Sequence, residues 1–296
     1  MASEFSGLGI AYQGHFTRLK WHRLRRSFKD PLFSAGVMAE GFRLGASSEL
    51  DLRVRADGGF VVLHDEELEG ETTGHGLIRE VLPETIRGLT LLEGGHPPIL
   101  SEDLATMLRT AHPDALLQFD MKDEFAAVGS RGMDHLSGYF AGAGSSIIIS
   151  GADLDLIVAV KNRLPDLKRG IDPTNKLVDI YRDQGLKAVE TDLRADIAGP
   201  TEPDTIYLAW QLVLQAAKDG LDLIGLCHDA GRLVDAWTFN LRSPDAGFDE
   251  AEARQFAALM ALKPDQITTD EPIATERAWA RIAPEASQSS MPNGSR

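Results

Sequence analysis

Short strand-like runs and longer helical patterns alternate along most of the chain. Nine runs have the composition or spacing of β-strands. They are residues 15–21, 47–54, 60–64, 115–122, 146–150, 168–172, 187–192, 233–239 and 265–270. Between them, residues 100–111, 153–164 and 251–262 carry apolar side chains at helical spacing, and Ser101 is the candidate N-cap of the first helix.

This repeated alternation of strand and helix favours a parallel sheet. An open doubly wound sheet and a closed barrel both fit the pattern. No glycine-rich dinucleotide or P-loop sequence follows an early strand, which disfavours the nucleotide-binding sheet. Nine candidate strands in one compact length favour an α/β fold with a single (β/α)8 TIM barrel, one run lying outside it or being misassigned. The active site is then expected at the C-terminal ends of the strands.

The domain organisation follows from length and from the composition of the last stretch. Residues 1–281 are expected to form a single TIM-barrel domain, since a chain of 296 residues has ample length for one large core. Residues 282–296, "IAPEASQSSMPNGSR", are rich in Ser, Pro, Asn and Gly and are expected to form a disordered tail.

Composition and charge limit the classes of molecule that the protein is expected to bind. The formal net charge of -15 disfavours binding to nucleic acid or to anionic membranes. No apolar run approaches the roughly 18 residues that span a bilayer, and the N-terminus does not resemble a signal peptide. Cys227 is the single cysteine, so no internal disulfide can form and a cytoplasmic location is expected. These patterns do not give the oligomeric state.

One segment departs from the acidic background. Residues 18–29, "RLKWHRLRRSFK", contain six Lys or Arg residues and no acid. The segment is either a solvated basic face or a local anion site. The two hypotheses differ in whether these side chains point into the same pocket.

Two pairs of polar residues lie on predicted strands. Glu49 and Asp51 are two positions apart, so their side chains point to the same side of the strand. Two carboxylates on one side repel each other unless a cation neutralises them, and ligation by oxygen alone suits Mg²⁺ or Ca²⁺. Asp120 and Lys122 form a second such pair. Asp120 is a candidate third ligand, and Lys122 is a point charge for a substrate anion.

Two histidines end or follow apolar runs. His22 and His64 are candidates for proton transfer, because imidazole both donates and accepts a proton near neutral pH. Arg23, next to His22, carries a planar guanidinium suited to phosphate. His15 is the alternative N-terminal histidine, but it lacks an arginine neighbour. The combination indicates metal-assisted acid/base chemistry on an anionic substrate.

The order of these residues resembles the glycerophosphodiester phosphodiesterase family. That family has a His-Arg-Gly strand end, followed by Glu-x-Asp, an Asp-Gly turn and His-Asp. Here Glu49 follows His22 by 27 positions, and "ELDLRVRADGGFVVLHDEEL" continues the pattern. The segments "LEGETTG", "PPILSEDL", "DAWTFN" and "PDQITTDEP" are similar to later family motifs. The resemblance spans about residues 16 to 275.

This resemblance implies a TIM barrel that hydrolyses a small-molecule phosphodiester to a phosphomonoester and an alcohol with one bound Mg²⁺ or Ca²⁺. The implied roles are acid/base catalysis for His22 and His64, cation binding for Glu49, Asp51 and Asp120, phosphate binding for Arg23 and Lys122, and contact with the substrate alcohol for Trp237. Which histidine is the acid and which the base stays open.

The sequence also departs from the family pattern. The glycine after His-Arg is Leu24, the arginine of the Arg-x-Thr segment is Gly70, and the usual third glutamate is Asp120. "SFKDPLF" (27–33) replaces the segment with an asparagine. The departures favour an altered substrate, so a sugar phosphodiester such as agrocinopine is one alternative. A transferase or lyase on the same barrel and a non-catalytic phosphate-binding barrel are the others.

Overall fold

Eight parallel strands among residues 5–283, the part of the chain that the computed structural model describes, close into a barrel. The barrel order is β2-β3-β5-β6-β7-β8-β9-β10, and pairing of β2 with both β10 and β3 completes the ring. The strands are β1 Gly9–Tyr12, β2 His15–Trp21, β3 Ser47–Val54, β4 Phe60–Val62, β5 Leu116–Met121, β6 Ile147–Gly151, β7 Lys168–Ile171, β8 Thr205–Ala209, β9 Leu233–Trp237 and β10 Gln266–Thr269. The predicted TIM barrel is confirmed.

Helices occupy most of the connections between successive barrel strands and bury apolar faces against the barrel. Their bounds are α1 Ala35–Leu44, α2 Pro83–Ile86, α3 Ser101–Leu108, α4 Phe125–Phe140, α5 Leu154–Arg163, α6 Thr174–Gln184, α7 Leu186–Ile197, α8 Trp210–Lys218, α9 Leu223–Asp229, α10 Glu250–Ala261 and α11 Pro272–Ile282. The three predicted helices correspond to α3, α5 and α10.

One predicted strand is wrong and one barrel strand was missed. Residues 187–192 lie in α7, where Val189, Leu193 and Ile197 are buried at helical spacing. A six-residue window is too short to reveal that period. The missed strand, β8, is a short run with buried apolar side chains and without alternation, and periodicity alone does not distinguish such a run from a buried helix.

Two further strands lie outside the ring. β1 pairs antiparallel with the beginning of β2, and β4 pairs antiparallel with the end of β3. β4 corresponds to the predicted run 60–64, which is therefore the strand candidate outside the barrel. Ser101 is not an N-cap: it is the first residue of α3, and its Oγ accepts the backbone N–H of Phe60 at 3.1 Å.

Alternation along the strands decides which side chains reach the barrel interior. In β3, Leu50 and Leu52 belong to the hydrophobic core that the helices cover, so Glu49 and Asp51 face inward. In β5, Phe119 belongs to the same core, while Asp120 lines a cavity inside the barrel. The predicted i, i+2 pairs therefore do point into the ring.

The basic segment at residues 18–29 is not a solvated face. Most of its cations pair with acidic side chains: Lys20 with Asp235, Arg23 with Asp51, Arg25 with Glu93, and Arg26 with Asp30 and Glu40. The predicted tail lies largely outside the described residues, which end at 283, one position after α11. No helix within residues 5–283 combines the length and hydrophobicity needed to cross a membrane.

Candidate active site

A cavity of about 350 Å³ lies inside the barrel, and its walls include residues at the C-terminal ends of the strands. TIM-barrel active sites occupy this face. The lining residues are Lys20, His22, Glu49, Gln118, Asp120, Lys122, Ser150, Asp172, Tyr207, Trp237, Thr238 and Thr268. Five of the eight predicted site residues are in this set.

Three acidic side chains from two neighbouring strands meet beside this cavity. The β3–β5 register places Asp51 directly opposite Asp120. One carboxylate oxygen from each of Glu49, Asp51 and Asp120 lies within 4.8 Å of the others. The structure therefore brings together the three predicted metal ligands.

Two cations contact this acidic cluster. Lys122 Nζ lies 2.8 Å from Asp51 Oδ1 and 2.5 Å from Asp120 Oδ2. Burial acts against the charged ammonium, but the charges of Asp120 and Asp51 outweigh it and raise the pKa of Lys122. Arg23 Nε lies 3.3 Å from Asp51 Oδ2. Both predicted phosphate-binding residues thus lie at the edge of the acidic cluster.

The cluster has the properties expected of a divalent-cation site. The buried Asp51 Oδ2 forms an ion pair with Arg23 Nε at 3.3 Å but accepts no hydrogen bond of good geometry from the described residues, although oxygen atoms in protein interiors are nearly always hydrogen bonded. Burial, and then the charge of Asp51, raises the pKa of Glu49 to about 7. A cation would relieve both costs, and three carboxylates are the donor set that Mg²⁺ and Ca²⁺ prefer.

His22 reaches the same cluster from the end of β2. Its Nε2 lies 3.9 Å from Glu49 Oε2, and its Nδ1 lies 2.8 Å from Asp270 Oδ1. Burial acts to lower the pKa of His22, but the hydrogen bond to Asp270 and the charge of Glu49 outweigh burial and raise it. Since a carboxylate only accepts, Nδ1 carries a proton and Nε2 is the atom available for proton exchange.

The backbone after His22 turns sharply towards β3. Arg23 and Leu24 have positive φ angles of 49° and 59°, a conformation in which glycine is favoured. The turn directs the Arg23 backbone N–H to Glu49 Oε2 at 2.9 Å. Leu24 stands where the family pattern has glycine, so this chain adopts the turn with a residue less suited to it.

His64 lies in the segment after β4 and outside the residues that line the cavity. Its side chain is 41% exposed, and its Nδ1 lies 3.0 Å from Asp65 Oδ1. Its backbone N–H donates to Glu71 Oε2 at 2.7 Å, and its carbonyl accepts from Arg53 Nε at 2.9 Å. The structure holds the backbone of His64 in place without showing a contact between its imidazole and the cluster.

The opposite wall of the cavity comes from β7, β8 and β9. Trp237, at the end of β9, is partly buried and lines the cavity there; its contact with a substrate alcohol stays a prediction. Asp172 follows β7 and accepts the backbone N–H of Thr174 at 2.9 Å. Burial raises the pKa of Asp172.

His15 is at the beginning of β2, at the other end from His22, where its Nε2 lies 2.9 Å from the Pro264 carbonyl.

Several cavity residues were missed from the sequence. Gln118 lies two positions before Asp120 on β5, so the i, i+2 rule would have found it. Lys20 lies two positions before His22, but His22 follows the end of β2 and the rule does not extend to it. Asp270, which contacts His22 but does not line the cavity, lies within the closing Thr-Asp-x-Pro segment, and the sequence pattern does not indicate that contact. Ser150 and Asp172 carry no sequence signal that separates them from other polar residues at strand ends.

A comparison with models of known protein families shows which family the chain belongs to. Residues 38–274 match the model of the glycerophosphoryl diester phosphodiesterase family. The chain belongs to this family. The match includes the acidic cluster, His64, Lys122 and Trp237, and it begins after His22 and Arg23. A comparison with the curated proteins gives no match.

Solved structures of other family members share the fold. A glycerophosphodiester phosphodiesterase from Agrobacterium tumefaciens is 17% identical with a TM-score of 0.62, and 89% of this chain and 99% of that chain are covered. One from Parabacteroides distasonis is 17% identical with a TM-score of 0.62, covering 97% and 92%. A phosphodiesterase from Oleispira antarctica, solved with its product sn-glycerol-3-phosphate, is 16% identical with a TM-score of 0.59, covering 88% and 95%.

Family membership settles the reaction class. The protein is a phosphodiesterase, a hydrolase of phosphodiester bonds, built on a TIM barrel. Its acidic cluster is a possible metal site, consistent with the divalent-metal dependence of the family.

Proposed function

We propose that this phosphodiesterase hydrolyses a glycerophosphodiester-like small molecule to a phosphomonoester and an alcohol, with a divalent cation bound by Glu49, Asp51 and Asp120. The observation that carries the proposal is the convergence of these carboxylates, within 4.8 Å of one another, at a cavity that His22 also lines. Bound there, the cation would supply positive charge that stabilises the phosphoryl oxygens as negative charge develops.

The chain's own cations would bind the rest of the phosphate. Lys122 lines the cavity with its ammonium group beside Asp51 and Asp120. Arg23 is 27% exposed and contributes a guanidinium on the other side of Asp51. Both groups are fixed by ion pairs before any substrate arrives, which lowers the entropy lost on binding.

His22 is the proposed proton-transfer group nearest to the acidic cluster. Asp270 holds the Nδ1 proton and orients the ring, so Nε2 faces Glu49 with a free position for a substrate proton. The Asp270 carboxylate accepts a further hydrogen bond from Asn240 Nδ2 at 2.5 Å, which fixes its own orientation. This pairing matches the general arrangement in which a carboxylate sets the tautomer of a catalytic imidazole.

His64 is proposed as the second proton-transfer group from its place in the family pattern, where His-Asp follows the Asp-Gly turn. In the structure it follows β4, which pairs antiparallel with the C-terminal end of β3, the strand that carries Glu49 and Asp51. Its side chain is 41% exposed and is therefore accessible to a substrate.

Ion dependence is tested by removing and restoring divalent cations. We expect chelator-treated enzyme to lose phosphodiesterase activity and to regain it with Mg²⁺ or Ca²⁺. Asp51→Asn should weaken binding of the ion, which calorimetric titration measures without substrate. Full activity in excess chelator would contradict the cation role of the three carboxylates.

Substrate and histidine roles are tested by a screen of phosphodiesters with product detection by phosphorus NMR. It includes glycerophosphocholine, glycerophosphoethanolamine and sugar–phosphate–sugar compounds such as agrocinopines. A cyclic phosphate or a transferred phosphoryl group as the final product would show that the reaction is a lyase or transferase reaction and not hydrolysis.

His22→Ala and His64→Ala should each slow cleavage at least about 100-fold. His75→Ala, at a histidine 85% exposed, is the control and should leave the rate unchanged.

A further inference from the structure

Four polar side chains form a connected network inside the barrel, and three of them also line the cavity. Lys20, Gln118, Ser150 and Asp235 come from four different strands and are at most 6% exposed. TIM-barrel interiors are mostly filled by branched apolar side chains. A buried polar network is tolerated only when its members satisfy each other, and it then fixes their orientations strongly.

Lys20 fixes which groups of this network donate hydrogen bonds and which accept them. Its Nζ lies 2.6 Å from Asp235 Oδ2 and also donates to Gln118 Oε1. Because an ammonium group only donates, the Gln118 carboxamide must turn its oxygen to Lys20 and its nitrogen away. The amide nitrogen then donates to Ser150 Oγ at 2.8 Å.

The Ser150 hydroxyl connects this network to Asp120 of the acidic cluster. Since its oxygen accepts from Gln118, its own proton is free for another acceptor. The nearest acceptors are Asp120 Oδ1 at 3.2 Å and the Phe119 carbonyl at 3.4 Å. The ionised carboxylate is both closer and the stronger acceptor, so the proton goes to Asp120.

Asp120 is the member of the cluster that most needs such support. Its side chain is 28% exposed, against 6% for Glu49 and 2% for Asp51. Its other oxygen, Oδ2, lies 2.5 Å from Lys122 Nζ. Without the Ser150 contact, the carboxylate is free to rotate towards Lys122 and away from the other two ligands.

We propose that Lys20, Gln118 and Ser150 are positioning residues that hold Asp120 in the orientation that binds the cation. The inference rests on the proposed cation site. It assigns to these three residues an effect on ion affinity that is exerted through Asp120, the third ligand.

The test is ion binding by the full chain, measured by calorimetric titration with Mg²⁺ and with Ca²⁺ in the absence of substrate. Ser150→Ala should weaken binding about 10–100-fold, the usual effect of removing a group that orients a ligand. Ser150→Thr keeps the hydroxyl and should restore most of the affinity.

Ser47→Ala is the matched control. Ser47 is equally buried in the barrel interior, but its hydroxyl donates to Gln266 Oε1 and not to Asp120. Its removal should leave ion affinity within about twofold of wild type, while urea unfolding reports how much each substitution costs in stability. Equal loss of ion affinity in the two alanine variants would overturn the inference.

Gln118→Met tests the residue that donates a hydrogen bond to Ser150. It should also weaken ion binding, and the double variant with Ser150→Ala should lose no more than the larger single loss, because both act through one route. Additive losses, or wild-type affinity in Ser150→Ala, would reject the positioning role while leaving the cation site intact. Absence of ion binding by the wild-type chain would instead reject the cation site itself.

Discussion

The ion pair between Lys20 and Asp235 offers a quantitative test of the energetics inside the barrel. Nζ and Oδ2 are 2.6 Å apart, and the side chains are 3% and 0% exposed. At an effective dielectric constant of about 20, two unit charges at that separation attract by about 6 kcal/mol. Desolvation costs several kcal/mol for each ion, so the intact pair contributes little net stability, whereas either charge alone is strongly unfavourable.

Breaking the pair from one side should therefore be costly. We expect Asp235→Asn and Lys20→Met each to lower the free energy of unfolding by about 3–5 kcal/mol. Asparagine keeps an oxygen that can accept the hydrogen bond from Thr268 Oγ1, 2.7 Å from Asp235 Oδ1, so the change removes mainly the charge. The double variant should lose clearly less than the sum, because neither buried charge is left alone.

Urea unfolding measures these differences, and agreement between tryptophan fluorescence and far-UV circular dichroism checks that the transition is two-state. The exposed pair between Arg163 and Asp134 is the control: its atoms are 2.7 Å apart, but the side chains are 54% and 67% exposed. Asp134→Asn should cost less than about 1 kcal/mol. A loss as small as this in Asp235→Asn, or strict additivity in the double variant, would refute the reasoning.

Three further predictions concern other parts of the molecule. Lys122→Met should tighten ion binding in a calorimetric titration, because it removes a cation that competes for two of the ligands, but lower kcat/KM, because a phosphate contact is lost; weaker ion binding would contradict this. Burial lowers the pKa of His135 from 6.5 in the folded state, so the unfolded chain takes up this proton first and stability should fall as the pH drops below about 6.5. The urea midpoints of His135→Gln between pH 7 and 5 should show a shallower decline than those of wild type, and an unchanged slope would count against the assignment. Gly58→Ala should lower the unfolding midpoint, at a cost of at least about 1 kcal/mol, because φ is 88° and the added Cβ would lie 2.9 Å from Arg131 Cβ; an unchanged midpoint would exclude such strain.

Local patterns in the sequence carried much of the fold and part of the site. Alternation along β3 and β5 predicted that Glu49 with Asp51, and Asp120 with Lys122, point into the barrel, and the structure brings all four together. The same reasoning failed where a window was too short or lacked a period. Residues 187–192 were predicted as a strand but lie in α7. The buried strand β8 has no alternation of polar and apolar residues that would identify it.

Closure of the barrel decided the remaining contacts. His22 and Asp270 are 248 positions apart, and they meet only because β10 pairs with β2. Likewise, Ser150 reaches Asp120 because β6 lies beside β5 in one register. The sequence by itself determined which side of its strand each side chain faces, since that depends on a local period of two residues. Which side chains become neighbours depends on strand order and register, which are set by packing over the whole ring and which no local segment encodes.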